Sequence, residues 1–253
     1  MKRIYETIWQ NIPFNSFTEC SLKQLPGPSF YEKFYACFFK QYKDWSDLNP
    51  DWLATKRNHA RFLMNRMNKD HTILSVGCGI GFIEKELLEA GYSQIEVQEM
   101  SAIPLQWIRN VLPSQALYVG SFFQVLPPEK RYDRILLNII DYCFEENDWI
   151  ELLTGVRNRL NTGGKAIISS VSLLDPIWSL PGAKRFLKDR IKWVLHRLGF
   201  RDLGQFWGFA RTRSEFQAAL DAAGLICVAE GFFPSPKNRE FYWLETEPGP
   251  ERN

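Results

Sequence analysis

Three glycines at alternate positions, Gly77, Gly79 and Gly81, follow a short apolar run, Ile73-Leu74-Ser75-Val76. After them comes a pattern of helical period with Ile83, Leu87 and Leu88 on one side, closed by Gly91. Glycine has no Cβ, so such a loop turns tightly and lets a ligand lie against the backbone. The start of the following helix offers unpaired N–H groups and the positive end of its dipole. A second apolar run, Ile95-Glu96-Val97, leads to Glu99. The acid lies about 20 residues beyond the glycines, the spacing at which a carboxylate grips ribose hydroxyls from the neighbouring strand tip. The unit reads as strand, glycine-rich turn, helix, strand and acid, which is a pocket for a nucleoside-bearing cofactor.

A dinucleotide fingerprint requires Gly or Ala three residues after its second glycine, and this chain has Phe82 there. There is also no Tyr-x-x-x-Lys pair. Val76-Gly77-Cys78-Gly79-Ile80-Gly81 instead resembles the first motif of the class I S-adenosylmethionine-dependent methyltransferases. The resemblance extends over residues 71–245. It includes a strand at 116–119 ending in Gly120-Ser121-Phe122, the run Tyr132-Asp133-Arg134-Ile135-Leu136-Leu137-Asn138, and the turn Asn161-Thr162-Gly163-Gly164 before a fifth strand. It implies a Rossmann-like α/β fold with a seven-stranded, mostly parallel sheet whose last strand is antiparallel. It also implies S-adenosyl-L-methionine as cofactor and S-adenosyl-L-homocysteine as product. By resemblance, Gly77, Cys78, Gly79 and Gly81 contact the methionine portion. Glu99 holds the ribose, Met100 lies beside it, and Asn138 closes the pocket from the fourth strand. The family usually carries an acid where this chain has Ser121, so adenine recognition falls to Ser121 and the backbone of Phe122. Residues Ile139 to Phe144 stand where the family faces the methyl group.

Residues 1–70 form a strongly aromatic segment, expected to be a helical cap or lid ahead of the 71–253 domain. Phe30, Phe34, Cys37 and Phe38 recur at helical spacing after Pro26-Gly27-Pro28, with Tyr31, Tyr35 and Tyr42 on an adjoining stripe. Pro50 opens a second helix. On it, Arg57 is the candidate for the cofactor carboxylate, because a guanidinium matches that group bidentately. A further helix is expected over 105–111. A second addition, the helical insert at about 172–212, holds a basic amphipathic helix from about 183 to 198. Between 183 and 201 stand Lys184, Arg185, Lys188, Arg190, Lys192, Arg197 and Arg201 against one acid, Asp189. Such a helix is a solvated cap face, a substrate lid, or a surface for a membrane, a nucleic acid or an anionic substrate.

The sulfonium of the cofactor already activates the methyl group, so alignment of a nucleophile is the main task left to the protein. An oxygen nucleophile also gains from a base. Asp141, Tyr142 and His196 are the candidates, with His59 behind them. The acceptor is expected to be a small molecule with a hydroxyl or amine, such as a sugar or a phenolic or anionic metabolite. A non-catalytic, methyltransferase-like binding protein is the alternative.

The net charge is only +2, so no bulk field points to nucleic acid. Five widely spaced cysteines, with no C-x-x-C pair, argue against a structural metal or a disulfide framework and for a cytoplasmic, reducing compartment. No stretch is long and apolar enough to insert stably in a membrane. A homodimer is left open.

Overall fold

The computed structural model describes residues 1–250 apart from 172, 175–179, 201 and 235–239, and the side chains of 180–186 and 189 are likewise outside the description. The expected link between the last two strands and part of the insert's opening fall on those positions.

Strands β1 (Lys2–Glu6), β2 (Ile8–Trp9) and β3 (Ile12–Pro13) precede helices α1 (Pro28–Gln41) and α2 (Pro50–Met64). The glycine-loop unit is β4 (Ile73–Val76), α3 (Phe82–Glu89) and β5 (Ile95–Glu99). Then follow β6 (Leu117–Val119), α4 (Phe122–Val125), β7 (Tyr132–Asn138), α5 (Glu146–Arg157) and β8 (Leu160–Ser170). The chain ends with α6 (Leu180–Arg197), β9 (Gln205–Ala210), α7 (Arg213–Ala223), β10 (Leu225–Pro234) and β11 (Glu240–Pro248).

Local chemistry sets the boundaries. Asn49 caps α2 by accepting from the N–H groups of Asp51 and Trp52, with Pro50 in the first helical position. Thr212 and Glu215 close a reciprocal capping box on α7, and Gly224 ends it in the left-handed conformation.

Seven strands form the main sheet in the order β10-β11-β8-β7-β4-β5-β6. The pairs from β8 through β6 are parallel, while β11 runs antiparallel to both β8 and β10. The order reverses at β4, so the carboxyl ends of β4, β5 and β7 flank a topological switch point. One face buries Leu74, Ile135, Leu137 and Ile168 against α5 and α7. The other buries Ile73, Leu136 and Ile167 against residues of α2 and α3.

The helix expected over 105–111 is replaced by two 3-10 turns, Pro104–Gln106 and Ile108–Asn110. The segment is short and bounded by Pro104 and Pro113, and it must bring Ile108 onto the glycine loop: a Cβ on Gly81 would lie 2.6 Å from Ile108 Cβ.

The aromatic cap is core rather than a loose lid. Phe14, Phe34 and Phe38 are essentially solvent-free and share one cluster with Ile80 and Phe82 of the glycine loop and helix, Trp107, and Trp207 of β9. To its helices the cap adds a strand that the sequence reading lacked: β1 pairs antiparallel with β9, from Lys2 opposite Ala210 to Glu6 opposite Gln205. The start of the chain and the return of the insert thus make one two-stranded unit.

β9 in turn presses on the turn after β7. A Cβ at Gly208 would sit 2.3 Å from the Tyr142 carbonyl oxygen. The fully buried Arg211 follows, donating to the carbonyls of Asp141 and Phe144. Gly208→Ala should therefore destabilise the protein by about 1–3 kcal/mol, the scale of a forced overpacking. Urea denaturation measures this, and an unchanged midpoint would mean that β9 does not fix the turn.

Candidate cofactor and acceptor site

Gly77, Gly79 and Gly81 all adopt left-handed φ, at +66°, +58° and +71°. An L side chain there is strained whatever the space around it. Their surroundings differ. A Cβ at Gly77 would meet Ile140 Cγ2 at 2.8 Å, and one at Gly81 would meet Ile108. At Gly79 the nearest atom is the Tyr35 hydroxyl oxygen, 3.5 Å away. Gly77 and Gly81 are thus required by packing within the chain, while Gly79 faces open space roofed by α1.

Glu99 reaches from the tip of β5 to this loop. Its Oε2 accepts from the Gly79 N–H at 2.8 Å and its Oε1 from the Met100 N–H at 2.8 Å. Burial raises its pKa, and the backbone donors at Gly79, Met100 and Ser101 oppose that shift only in part. These three donors do not exhaust the four lone-pair sites of the carboxylate, which keeps some accepting capacity for a ligand. Met100 leaves its side chain exposed beside Glu99. Ser121 opens the short helix α4 without capping it, whereas Phe122 sends its ring into the core.

The other wall is phenolic. Tyr35 lies over Gly79, and the Tyr31 hydroxyl is 3.9 Å from Cys143 Sγ. Tyr142 stacks on Trp207 with 6.0 Å between ring centroids. Burial drives Tyr31, Tyr35 and Tyr142 well above the ordinary tyrosine range and pushes the Cys143 thiol up to about 12. At neutral pH all four stay protonated and act as donors rather than bases.

Asp141 is almost fully buried, and its Oδ2 accepts from Ser170 Oγ at 2.8 Å. Its own carbonyl, and that of Phe144, are held by Arg211. Asn138 ends β7 with Oδ1 accepting from Ser169 Oγ at 3.4 Å, while its Nδ2 has no partner among the described residues. Ser169 Oγ also shares a 2.9 Å hydrogen bond with His59 Nε2, which burial holds neutral by lowering its pKa well below the usual value. Next to Asn138, Ile139 sits at φ +62°, a rare conformation for a β-branched residue that costs about 1–3 kcal/mol.

The chain therefore gathers Gly77, Cys78, Gly79, Glu99, Asn138, Tyr142 and the two cap tyrosines around the sheet's carboxyl edge. It does not bring Arg57 to the loop: that guanidinium is 3.3 Å from Glu86 Oε1 and lies over the Phe82 ring. His196 lies on α6 beside Trp193, which itself packs against Tyr5 of β1. Tyr35 and Cys143 were not singled out from sequence; the helical stripe Tyr31-Tyr35-Tyr42 was the available signal, but nothing in it gave the distance to Gly79. Among the described residues no group of three or more His, Cys, Asp or Glu side chains gathers around a metal-sized site.

Solved structures settle what this architecture is. The mitomycin 7-O-methyltransferase MmcR superposes with a TM-score of 0.59 at 16% identity, covering 88% of this chain and 58% of its own. CalO1, a methyltransferase in calicheamicin biosynthesis solved with S-adenosylhomocysteine, gives 0.56 at 16% identity over 87% and 57%. Magnesium protoporphyrin IX methyltransferase from Synechocystis PCC 6803, also solved with that product, gives 0.57 at 13% identity over 86% and 97%. The fold is that of the class I S-adenosylmethionine-dependent methyltransferases. The chain spans under two thirds of the length of TnmH, CalO1 and MmcR, at 58%, 57% and 58%. No protein-family profile and no curated sequence matches it.

The residues present fit the cofactor of this fold on two counts: a Cβ-free space at Gly79 and a half-buried carboxylate beside it at Glu99. Glu99→Ala should weaken S-adenosylhomocysteine binding by about 1.5–3 kcal/mol, the scale of hydrogen bonds to a charged group. Calorimetry reads this directly, and an unchanged affinity in a folded variant would remove Glu99 from the site. The pH dependence has a definite sign. The ionised carboxylate is the acceptor, and its folded pKa is raised. Affinity should therefore begin to fall, on acidification, above the ordinary glutamate range; a profile flat down to that range would contradict the assignment.

The glycines give a second test. Gly81→Ala should lower stability more than Gly79→Ala, because only the former adds a clash with Ile108 to the strain of positive φ. Gly79→Val should instead remove ligand binding while most of the fold stands. A melting series combined with ligand titration separates the two, and equal behaviour would refute the division of roles.

Proposed function

We propose that this protein is an S-adenosylmethionine-dependent methyltransferase acting on a small-molecule acceptor. The observation that carries this is the loop of Gly77 to Gly81 tied to the Glu99 carboxylate beneath a roof of cap tyrosines. When bound, S-adenosylmethionine supplies a methyl group already activated by its sulfonium. Glu99 binds the ribose hydroxyls, Met100 covers the base, and Ser121 with the Phe122 backbone meets the adenine edge. Lone-pair acceptors of the loop and the free amide of Asn138 hold the methionine end.

The cap at 1–70 then works with the 71–253 core as the acceptor's roof. Tyr31 and Tyr142 pack on Trp207 and Tyr35 lies over Gly79, a set of aromatic faces and neutral hydroxyls that suits a phenolic or other amphipathic acceptor. Tyr142 orients the acceptor by donating a hydrogen bond. Asp141 acts through Ser170 and Arg211, fixing the turn that carries Tyr142, rather than as an exposed base. Alignment within a dry pocket is the main source of rate. The cysteines are all free, which supports a reducing, cytoplasmic setting for this reading.

The test is transfer of an isotopically labelled methyl group to a panel of phenols, sugars and amines, with calorimetry against S-adenosylhomocysteine and nicotinamide dinucleotides. Product binding with methylation of at least one small acceptor is expected. Binding without transfer across the panel would favour a cofactor-binding protein, and nicotinamide binding alone would overturn the reading. Tyr142→Phe should slow transfer about tenfold, the value of one hydrogen bond of about 1.4 kcal/mol. Its affinity for S-adenosylhomocysteine should stay unchanged; loss of both together would make Tyr142 structural.

A further inference from the structure

Helix α6 carries its apolar residues on the wrong side for a helix that caps a domain. Leu187, Ile191, Val194 and Leu198 recur at intervals of four, three and four, which puts them on one stripe of a 3.6-residue helix. They are 60%, 51%, 56% and 60% exposed. Phe200, just past the helix after Gly199, is 79% exposed. On the opposite side Trp193, 41% exposed, meets the Tyr5 ring edge-on at 5.7 Å, and His196 of the same helix lies against it. A solvated cap would show the reverse arrangement, polar outward and apolar inward.

Charge borders the stripe. On a helical wheel Lys188 falls on one flank and Arg190 and Arg197 on the other, and all three are exposed. The sequence from 183 to 201 has seven basic residues and one acid. An apolar stripe bordered on both sides by long cationic side chains is the pattern of a helix lying in a lipid interface. There the stripe enters the acyl boundary while lysine and arginine stems reach back to anionic headgroups. The same borders oppose a second copy of this chain, since like charges would meet across the contact. No helix among the described residues is long and apolar enough to cross a membrane, so the association is in the plane of the surface.

We propose that α6 and Phe200 form a peripheral docking surface for anionic lipid bilayers. It engages through the stripe Leu187-Ile191-Val194-Leu198 and the flanking Lys188 and Arg197. This surface is separate from the glycine loop and from the phenolic pocket.

The experiment is co-sedimentation of the full chain with phosphatidylcholine vesicles, with and without phosphatidylserine, at low and high salt. Wild type should sediment with the phosphatidylserine vesicles only and be released by salt. Lys188→Gln with Arg197→Gln should weaken partitioning about thirtyfold, at about 1 kcal/mol per basic residue near the surface. Ile191→Asp with Leu198→Asp should abolish it. Both pairs alter exposed side chains, and circular dichroism and S-adenosylhomocysteine affinity should match wild type. Failure of wild type to bind anionic vesicles would overturn the proposal. So would binding that the aspartate pair leaves intact, which is plain electrostatic adsorption. A dimer in sedimentation velocity that the aspartate pair dissociates would assign the stripe to a second copy and overturn it as well. Retention on soluble polyglutamate that equals retention on the vesicles would assign it to an acidic protein.

Discussion

The half-buried Glu99 carboxylate stands at the tip of one strand and accepts from the backbone of the loop at the next. That hydrogen bond, Gly79 N–H to Oε2, ties the middle of the loop to the strand tip, and the neighbouring elements are arranged around it. Left-handed glycines on either side let the loop curl toward the acid. Ile108 and Ile140 fill the spaces that side chains at Gly81 and Gly77 would need, so the loop is braced on both flanks by neighbouring turns. Two short 3-10 turns, rather than a helix, supply Ile108 at the right height. The raised pKa of Glu99 is the energetic trace of this arrangement: burial disfavours its charge, and only part of that cost is offset by backbone donors.

The second half of the site depends on how tightly β9 lies on the turn after β7. Gly208 lets the two backbones touch, and Arg211 gathers the carbonyls of Asp141 and Phe144. β9 also pairs with β1, so the first residues of the chain, β9 and the turn bearing Tyr142 are packed together. The cap is locked to that unit through Trp207, which stacks on Phe14 and on Tyr142. The side chains that this packing brings together are phenols and a thiol kept neutral by burial, which serve as hydrogen-bond donors rather than bases.

The glycine loop and the acid at Glu99 were legible in the sequence as adjacent residues with a local physical meaning, and the mostly parallel sheet with its antiparallel closing strand followed from the family resemblance that those motifs carry. The cap was legible as aromatic and partly helical, yet β1 was not: Lys2 to Glu6 has no alternation that marks a strand, and its partner lies about two hundred residues away in the chain. The false helix over 105–111 arose from apolar spacing that in fact serves contact with Gly81. Arg57 was the candidate in its segment for the cofactor carboxylate on the match of its guanidinium, and it pairs instead with Glu86 one helix away. Asp141 was a candidate base just past the fourth strand; the residues that hold it, Ser170 and Arg211, come from elsewhere in the chain. Side-chain chemistry was readable, whereas partners distant in sequence were not.

The most direct test is a crystal structure of this chain grown with S-adenosylhomocysteine. The account predicts electron density with both ribose hydroxyls on the Glu99 carboxylate, the methionine end along Gly77 to Gly79, and the sulfur directed toward Tyr142. Density for the ligand elsewhere, with Glu99 still bonded only to the Gly79 and Met100 amides, would contradict it.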